Sequence, residues 1–169
     1  MLKILNDLKP FFEDNYRRIN VREYARLREI SPPTASKFLS GLEKEKLLRR
    51  EKERRFILYV ANRENRTFII LSRLYWYSKI EKSGLLEYLQ KEFINPTVIL
   101  FGSFSEAEVV PQSDIDLVLF SVSKKGVDLR LFEKKLNRKI HLLVFKDIKD
   151  ISNKNLLRNI LKGMFFMWG

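Results

Sequence analysis

Apolar positions in the first sixty residues recur at helical spacing and then switch to alternation. Leu2, Leu5, Leu8 and Phe12 mark residues 2–15 as helical, with Pro10 expected to kink or divide them. Asn20 reads as the cap of a short helix to about Arg28 whose Val21, Tyr24 and Leu27 turn inward. Ser31 and the prolines after it open a third helix, in which Ala35, Phe38, Leu39 and Leu42 form the apolar stripe. Its opposite face carries Thr34, Ser36, Lys37 and Ser40. The run "LLRREKERRFILYVAN" reads as two strands around a turn near Glu51–Glu53, with Phe56, Leu58 and Val60 on one face.

The stretch "NRTFIILSRLYWYSKIEKSG" is long enough for four helical turns and apolar on more than one side. Such a helix is expected to be buried between other elements, at a junction or in a dimer interface. A helix from Leu85 to Phe93 follows Gly84 and stops before Asn95-Pro96. Strands and helices then alternate: strand Thr97–Phe101, a loop, strand Ile115–Ser121, helix about Val127–Leu136, strand Lys139–Phe145 and helix about Asn153–Leu161. Gly163 reads as a helix stop and "MFFMW" as a last edge strand. The expected class is α+β, with a mixed sheet and flanking helices in the second half, too short for a doubly wound dinucleotide fold.

Charge narrows the partners. With 169 residues, a net charge of +12 and a pI near 9.9, the chain calls for an anionic partner. Nucleic acid comes first, with nucleotide phosphates or an acidic membrane surface behind it. Cysteine is absent, which removes disulfides and thiolate metal sites and fits a reducing cytoplasm. No apolar run reaches transmembrane length, and "MLKILNDLKP" does not read as a secretory signal, so no membrane partner is expected.

Three short helices followed by a basic hairpin resemble a MarR-like winged helix-turn-helix domain over residues 1–62. That resemblance implies DNA binding: Thr34, Ser36, Lys37 and Ser40 toward the bases, with Arg49, Arg50, Lys52, Arg54 and Arg55 along the phosphates. The plainer alternative is a hairpin solvated by its own charges, and Glu51 and Glu53 weigh on that side.

The sharpest chemistry lies in "ILFGSFSEAEVVPQSDIDLVLFS". Strand alternation would point Asp114 and Asp116 the same way, roughly 7 Å apart. Two carboxylates so placed repel unless a cation such as Mg²⁺ lies between them. Gly102 permits a close backbone approach, and amide groups beyond Ser103 can hold a phosphate.

Gly102-Ser103, ten residues, then Asp114 and Asp116, with Ser113 in the small-residue position, resembles the signature of the polymerase-beta-like, or minimal, nucleotidyltransferases. The resemblance covers about residues 80–169. It implies nucleoside triphosphate bound by Gly102, Ser103 and Ser113, and Mg²⁺ (or Mn²⁺) bound by the catalytic Asp114 and Asp116. It also implies a third carboxylate on a neighbouring strand, where "RKIHLLVFKD" places His141. Asp147 lies about 20 Å further along that strand, and Glu133 is on the intervening helix.

Two functions stay open. One is an active transferase that moves a nucleoside monophosphate to a hydroxyl, with the winged helix (1–62) joined through residues 63–83 to the transferase domain (84–169). The other is a DNA-binding regulator whose impaired transferase-like domain senses nucleotide or mediates oligomerisation. A homodimer through residues 66–80 is a further expectation, and family resemblance alone suggests a helical protein partner.

Overall fold

The computed structural model describes residues 3–123 and 125–167, so Leu2 and Trp168 of the expected first helix and last strand lie outside the described residues. The chain divides into two compact units, residues 1–72 with 107–111, and residues 73–106 with 112–169.

The first unit begins with α1 (Lys3–Glu13), a single helix that Pro10 does not divide. α2 (Val21–Arg28) starts where Asn20 Oδ1 accepts the Glu23 amide at 2.9 Å, and ends at Glu29 in the left-handed region, φ 52°. α3 (Pro32–Lys44) is opened by Ser31, whose hydroxyl lies 2.8 Å from that of Thr34. β1 (Leu48–Glu53) and β2 (Phe56–Ala61) pair antiparallel from Leu48↔Ala61 to Glu53↔Phe56. The turn is therefore Arg54–Arg55, further along than Glu51–Glu53, with Arg54 at φ 52°. Ile19 adds one bridge to this ribbon, exchanging both backbone hydrogen bonds with Tyr59 at 3.0 and 2.8 Å.

Leu8, Phe11, Phe12, Ile19, Tyr24, Ala35, Leu39 and Phe68 close the core of this unit. Leu27, expected inside, is exposed, and Ala25 takes the inward position. Phe56 is also exposed, because the hairpin tip beyond Leu58 stands away from the core. Tyr24 donates from its hydroxyl to the Asp7 carbonyl at 2.9 Å, and Arg28 meets the Asp7 carboxylate at 3.1 Å. Burial, followed by the Asp7 charge, pushes the Tyr24 hydroxyl up to about 12.

α4 (Arg66–Ser83) starts in the first unit and ends in the second. Its buried positions are Phe68, Ser72, Tyr75, Trp76, Ile80 and Ser83, a single stripe, whereas Ile70 and Leu74 are exposed. It is thus buried along one face and not all round.

In the second unit, α5 (Leu85–Glu92) follows Gly84, which sits at φ 84°. Then come β3 (Thr97–Phe101), the short α6 (Ser103–Glu106), β4 (Ile115–Phe120), α7 (Arg130–Leu136) and β5 (Ile140–Phe145). A 3-10 turn at Ile148–Asp150, α8 (Lys154–Leu161) and β6 (Met164–Met167) finish the unit. α7 begins three residues later than the apolar pattern suggested. The sheet order is β5-β4-β3-β6, with β4 and β5 parallel and the other pairs antiparallel.

Ile99, Phe101, Val118, Ile151 and Ile160 form a core on one side of this sheet, with Phe120, Leu143, Phe145, Leu156 and Leu157 packed around them. Gly163 serves a purpose other than a left-handed stop. A Cβ there would lie 2.5 Å from the Leu100 carbonyl oxygen, so the missing side chain lets the chain leave α8 directly against β3.

Candidate active site

Antiparallel pairing of β3 with β4 sets Phe101 opposite Asp116, and parallel pairing of β4 with β5 sets Asp116 opposite His141. Asp116 therefore ends the row that Val118 and Phe120 continue, on the sheet face that carries the Ile99 core. Asp114 lies one residue before β4, at the end of the loop rather than in the strand.

Gly102 turns the chain out of β3 at φ 69°, and its carbonyl accepts the Ser105 amide at 3.0 Å and the Ser105 hydroxyl at 2.8 Å. The carboxylate of Asp116 packs onto this turn. A Cβ at Gly102 would stand 2.6 Å from Asp116 Oδ2, so glycine is favoured by the dihedral and required for this close contact. Gly102, Ser103 and Asp116 are thus neighbours at one end of the sheet, with Asp114 and Ser113 at the mouth of the same loop.

Burial pushes the Asp116 carboxyl above its ordinary value, and the nearby Asp114 adds to the push. His141 opposes it, with Nδ1 3.6 Å from Asp116 Oδ1. The imidazole itself is largely exposed, its side chain 75% accessible. The two other acids named from sequence are committed elsewhere. Glu133 accepts the Ile140 amide at 3.0 Å and meets Lys139 Nζ at 3.4 Å. Asp147 caps the 3-10 turn by accepting the Lys149 amide at 2.9 Å.

Among the described residues, no three His, Cys, Asp or Glu side chains gather as a closed metal site. The oxygen donors of Asp114 and Asp116 nevertheless fit a hard divalent ion of the kind that takes its remaining ligands from water and phosphate. Burial is the main reason the Asp116 carboxyl is raised, and an ion beside it would offset both that and the smaller push from Asp114.

Arg138 was not singled out by sequence. Its guanidinium reaches the Ser113 carbonyl at 3.4 Å and stands 5.7 Å from the ring centres of both Trp76 and Phe104. No spacing rule links a residue before β5 with the loop before β4 and a ring on α4. In the first unit, Arg18 was likewise unforeseen, and it pairs with Glu51 and Glu53, each at 3.0 Å.

The residues expected to face DNA divide by exposure. Ser36, Lys37, Arg49, Arg50, Lys52, Arg54 and Arg55 are exposed, while Thr34 and Ser40 are half-buried. Arg49 lies 3.8 Å from Glu64.

Residues 82–164 match the family model of the nucleotidyltransferase domain. The mixed sheet and flanking helices fit that domain. No curated protein matches the chain. Among the described residues, no helix is long and apolar enough to cross a membrane.

Proposed function

We propose that the protein transfers a nucleoside monophosphate from a nucleoside triphosphate to a hydroxyl acceptor. The observation that carries this reading is the packing of the Asp116 carboxylate against Gly102, within a segment that matches the nucleotidyltransferase model. In the reaction, the acceptor oxygen bonds to the α-phosphorus, the bond to the departing pyrophosphate breaks, and the hydroxyl proton is lost to solvent or a base.

Asp114 and Asp116 would hold Mg²⁺ or Mn²⁺, which supplies activation of the hydroxyl and neutralises charge on the leaving group. Ser103, at the start of α6, and Ser113, before Asp114, would contact the phosphates. The bare α-carbon of Gly102 leaves room for the Asp116 carboxylate against the turn. His141 stands beside Asp116 and presents nitrogen where a third carboxylate would complete the acidic set.

Residues 1–62, by this proposal, form a winged helix-turn-helix joined through residues 63–83 to the transferase domain of 84–169, all in a cytoplasmic protein. The Ile19–Tyr59 bridge supports that reading by tying the segment between α1 and α2 to the hairpin, as a third short strand beside a wing. Self-association through residues 66–80, where Ile70 and Leu74 are exposed, belongs to the same proposal.

His141 favours one other reading, a DNA-binding regulator whose transferase domain has lost turnover. Transfer of α-labelled nucleotide from each of the four triphosphates, with Mg²⁺ or Mn²⁺ and cell extract as acceptor, separates the two. Wild type is expected to transfer label and Asp116→Asn to fall to background. Silence in wild type with activity in His141→Asp would show that the fold has lost its turnover and leave DNA binding as the main function.

A further inference from the structure

The segment from Gly102 to Asp116 contains four acids, Glu106, Glu108, Asp114 and Asp116, and neither lysine nor arginine. Glu106 is paired with Lys162 at 3.0 Å and Glu108 lies 3.9 Å from Arg63, which leaves Asp114 and Asp116 as the acids that a triphosphate would meet and that a cation from another element would offset. Arg138 comes from such an element: Asn137, at φ 51°, ends α7 in the left-handed region and delivers Arg138 just before β5. Its amide donates to the Glu133 carbonyl at 3.2 Å, which fixes the backbone there.

From that point the guanidinium lies 3.4 Å from the Ser113 carbonyl and 5.7 Å from the Phe104 ring centre, beside residues adjacent to Asp114 and Ser103. Phe104 follows Ser103 directly, and the Ser113 carbonyl belongs to the peptide that leads into Asp114. Trp76 and Phe104 meet edge to face at 4.5 Å between ring centres, and Arg138 stands within cation–π reach of both. A second observation comes from the same aromatic pair. The Trp76 indole N–H is buried and has no acceptor among the described residues, so the ring's surroundings are set by packing and by the nearby guanidinium. The planar guanidinium fork is the side chain best matched to phosphate oxygens.

We propose that Arg138 is the phosphate-binding cation of the nucleotide site, and that its place against Trp76 makes this tryptophan respond to occupation. The inference rests on the nucleotidyltransferase reading and adds to it a residue and a substrate group.

Nucleotide binding by calorimetry and by Trp76 emission tests it, with Mg²⁺ present. Trp168 is replaced in a Trp168→Phe background so that a single tryptophan emits. Triphosphates and the matching monophosphates are titrated into this background and into Arg138→Gln. Arg138→Gln is expected to weaken triphosphate binding by about 10- to 100-fold. It should leave monophosphate binding within about threefold, since fewer charged oxygens reach the guanidinium.

Equal losses for both ligands, or no loss, would overturn the assignment while leaving the transferase reading intact. Absence of binding by any triphosphate to wild type would overturn both. A second measurement needs no Arg138 variant. Inorganic pyrophosphate should shift Trp76 emission and compete with triphosphate, whereas nucleosides should do neither. A silent pyrophosphate titration, where triphosphate itself binds, counts against Arg138 even if Arg138→Gln fails to fold.

Discussion

Gly102 holds a left-handed dihedral and a carboxylate against its bare α-carbon at once. Alanine there would incur about 1–2 kcal/mol of backbone strain, and its Cβ, 2.6 Å from Asp116 Oδ2, would force that oxygen to move. Gly102→Ala is therefore expected to lower transfer sharply and melting temperature modestly. The Gly102→Ala/Asp116→Asn pair should be scarcely worse than Asp116→Asn alone, a coupling that a double-mutant cycle measures.

Tyr24 gives a pH prediction. Its hydroxyl stays protonated in the fold up to about 12, above the unfolded reference of 10.0. The unfolded chain releases this proton first, so the contribution is intact below pH 10 and is lost as pH rises from 10 toward 12. Unfolding of wild type and Tyr24→Phe across that range should show the steeper alkaline loss in wild type. At this scale the motif was legible because Gly102, Ser103, Asp114 and Asp116 are local in sequence and tied to two strands. Arg138 was not, since its partners come from α4, α6 and the loop before β4.

The hairpin shows what alternation does to a mixed-charge strand. On β1, Glu51 and Glu53 share a face and are gathered by Arg18, while Arg50 and Lys52 project from the other. The acids that weigh against DNA binding in the linear sequence thus share one cation from outside the ribbon, which offsets half of their charge. If the proposed wing contacts phosphate, removing Arg50, Arg54 and Arg55 together should flatten the plot of log affinity against log salt by about 0.9 per lost contact. Filter binding or anisotropy over a salt series checks the slope; an unchanged slope would remove the wing from the interface.

The misplaced turn and the exposed Phe56 have one physical origin. The register is set by pairing from Leu48↔Ala61 onward and by the Ile19 bridge, and neither turn residue is a glycine or asparagine that would have announced it. Similarly, α4 was legible as a helix from its length, but which side is buried depends on neighbours distant in sequence. Strands β3, β4 and β5 were legible because each is a short apolar run bounded by turn residues.

At the scale of the molecule, sequence order and spatial grouping diverge. Residues 107–111 lie between the Gly-Ser turn and the aspartate pair, yet they belong to the first unit. There Val109 accepts from the Asn15 amide at 2.8 Å, and its own amide donates to Asn15 Oδ1 at 2.6 Å. Asn15 Nδ2 in turn donates to the Phe11 carbonyl at 2.7 Å, and Asn15 and Val109 are both buried. Apolar periodicity foretold none of this, because it is carried by one asparagine and a loop.

That five-residue strip makes the protein a poor candidate for cutting with a single pair of scissors. A break after Ser72 would take Val109 from Asn15, leaving one fragment with orphaned amide and carbonyl groups and the other with an apolar splinter. Swapping the head onto a different tail would fail for the same reason unless the splinter travelled with it. Each unit is inherited in two pieces of chain, so mixing and matching by simple end-to-end splicing is closed to it.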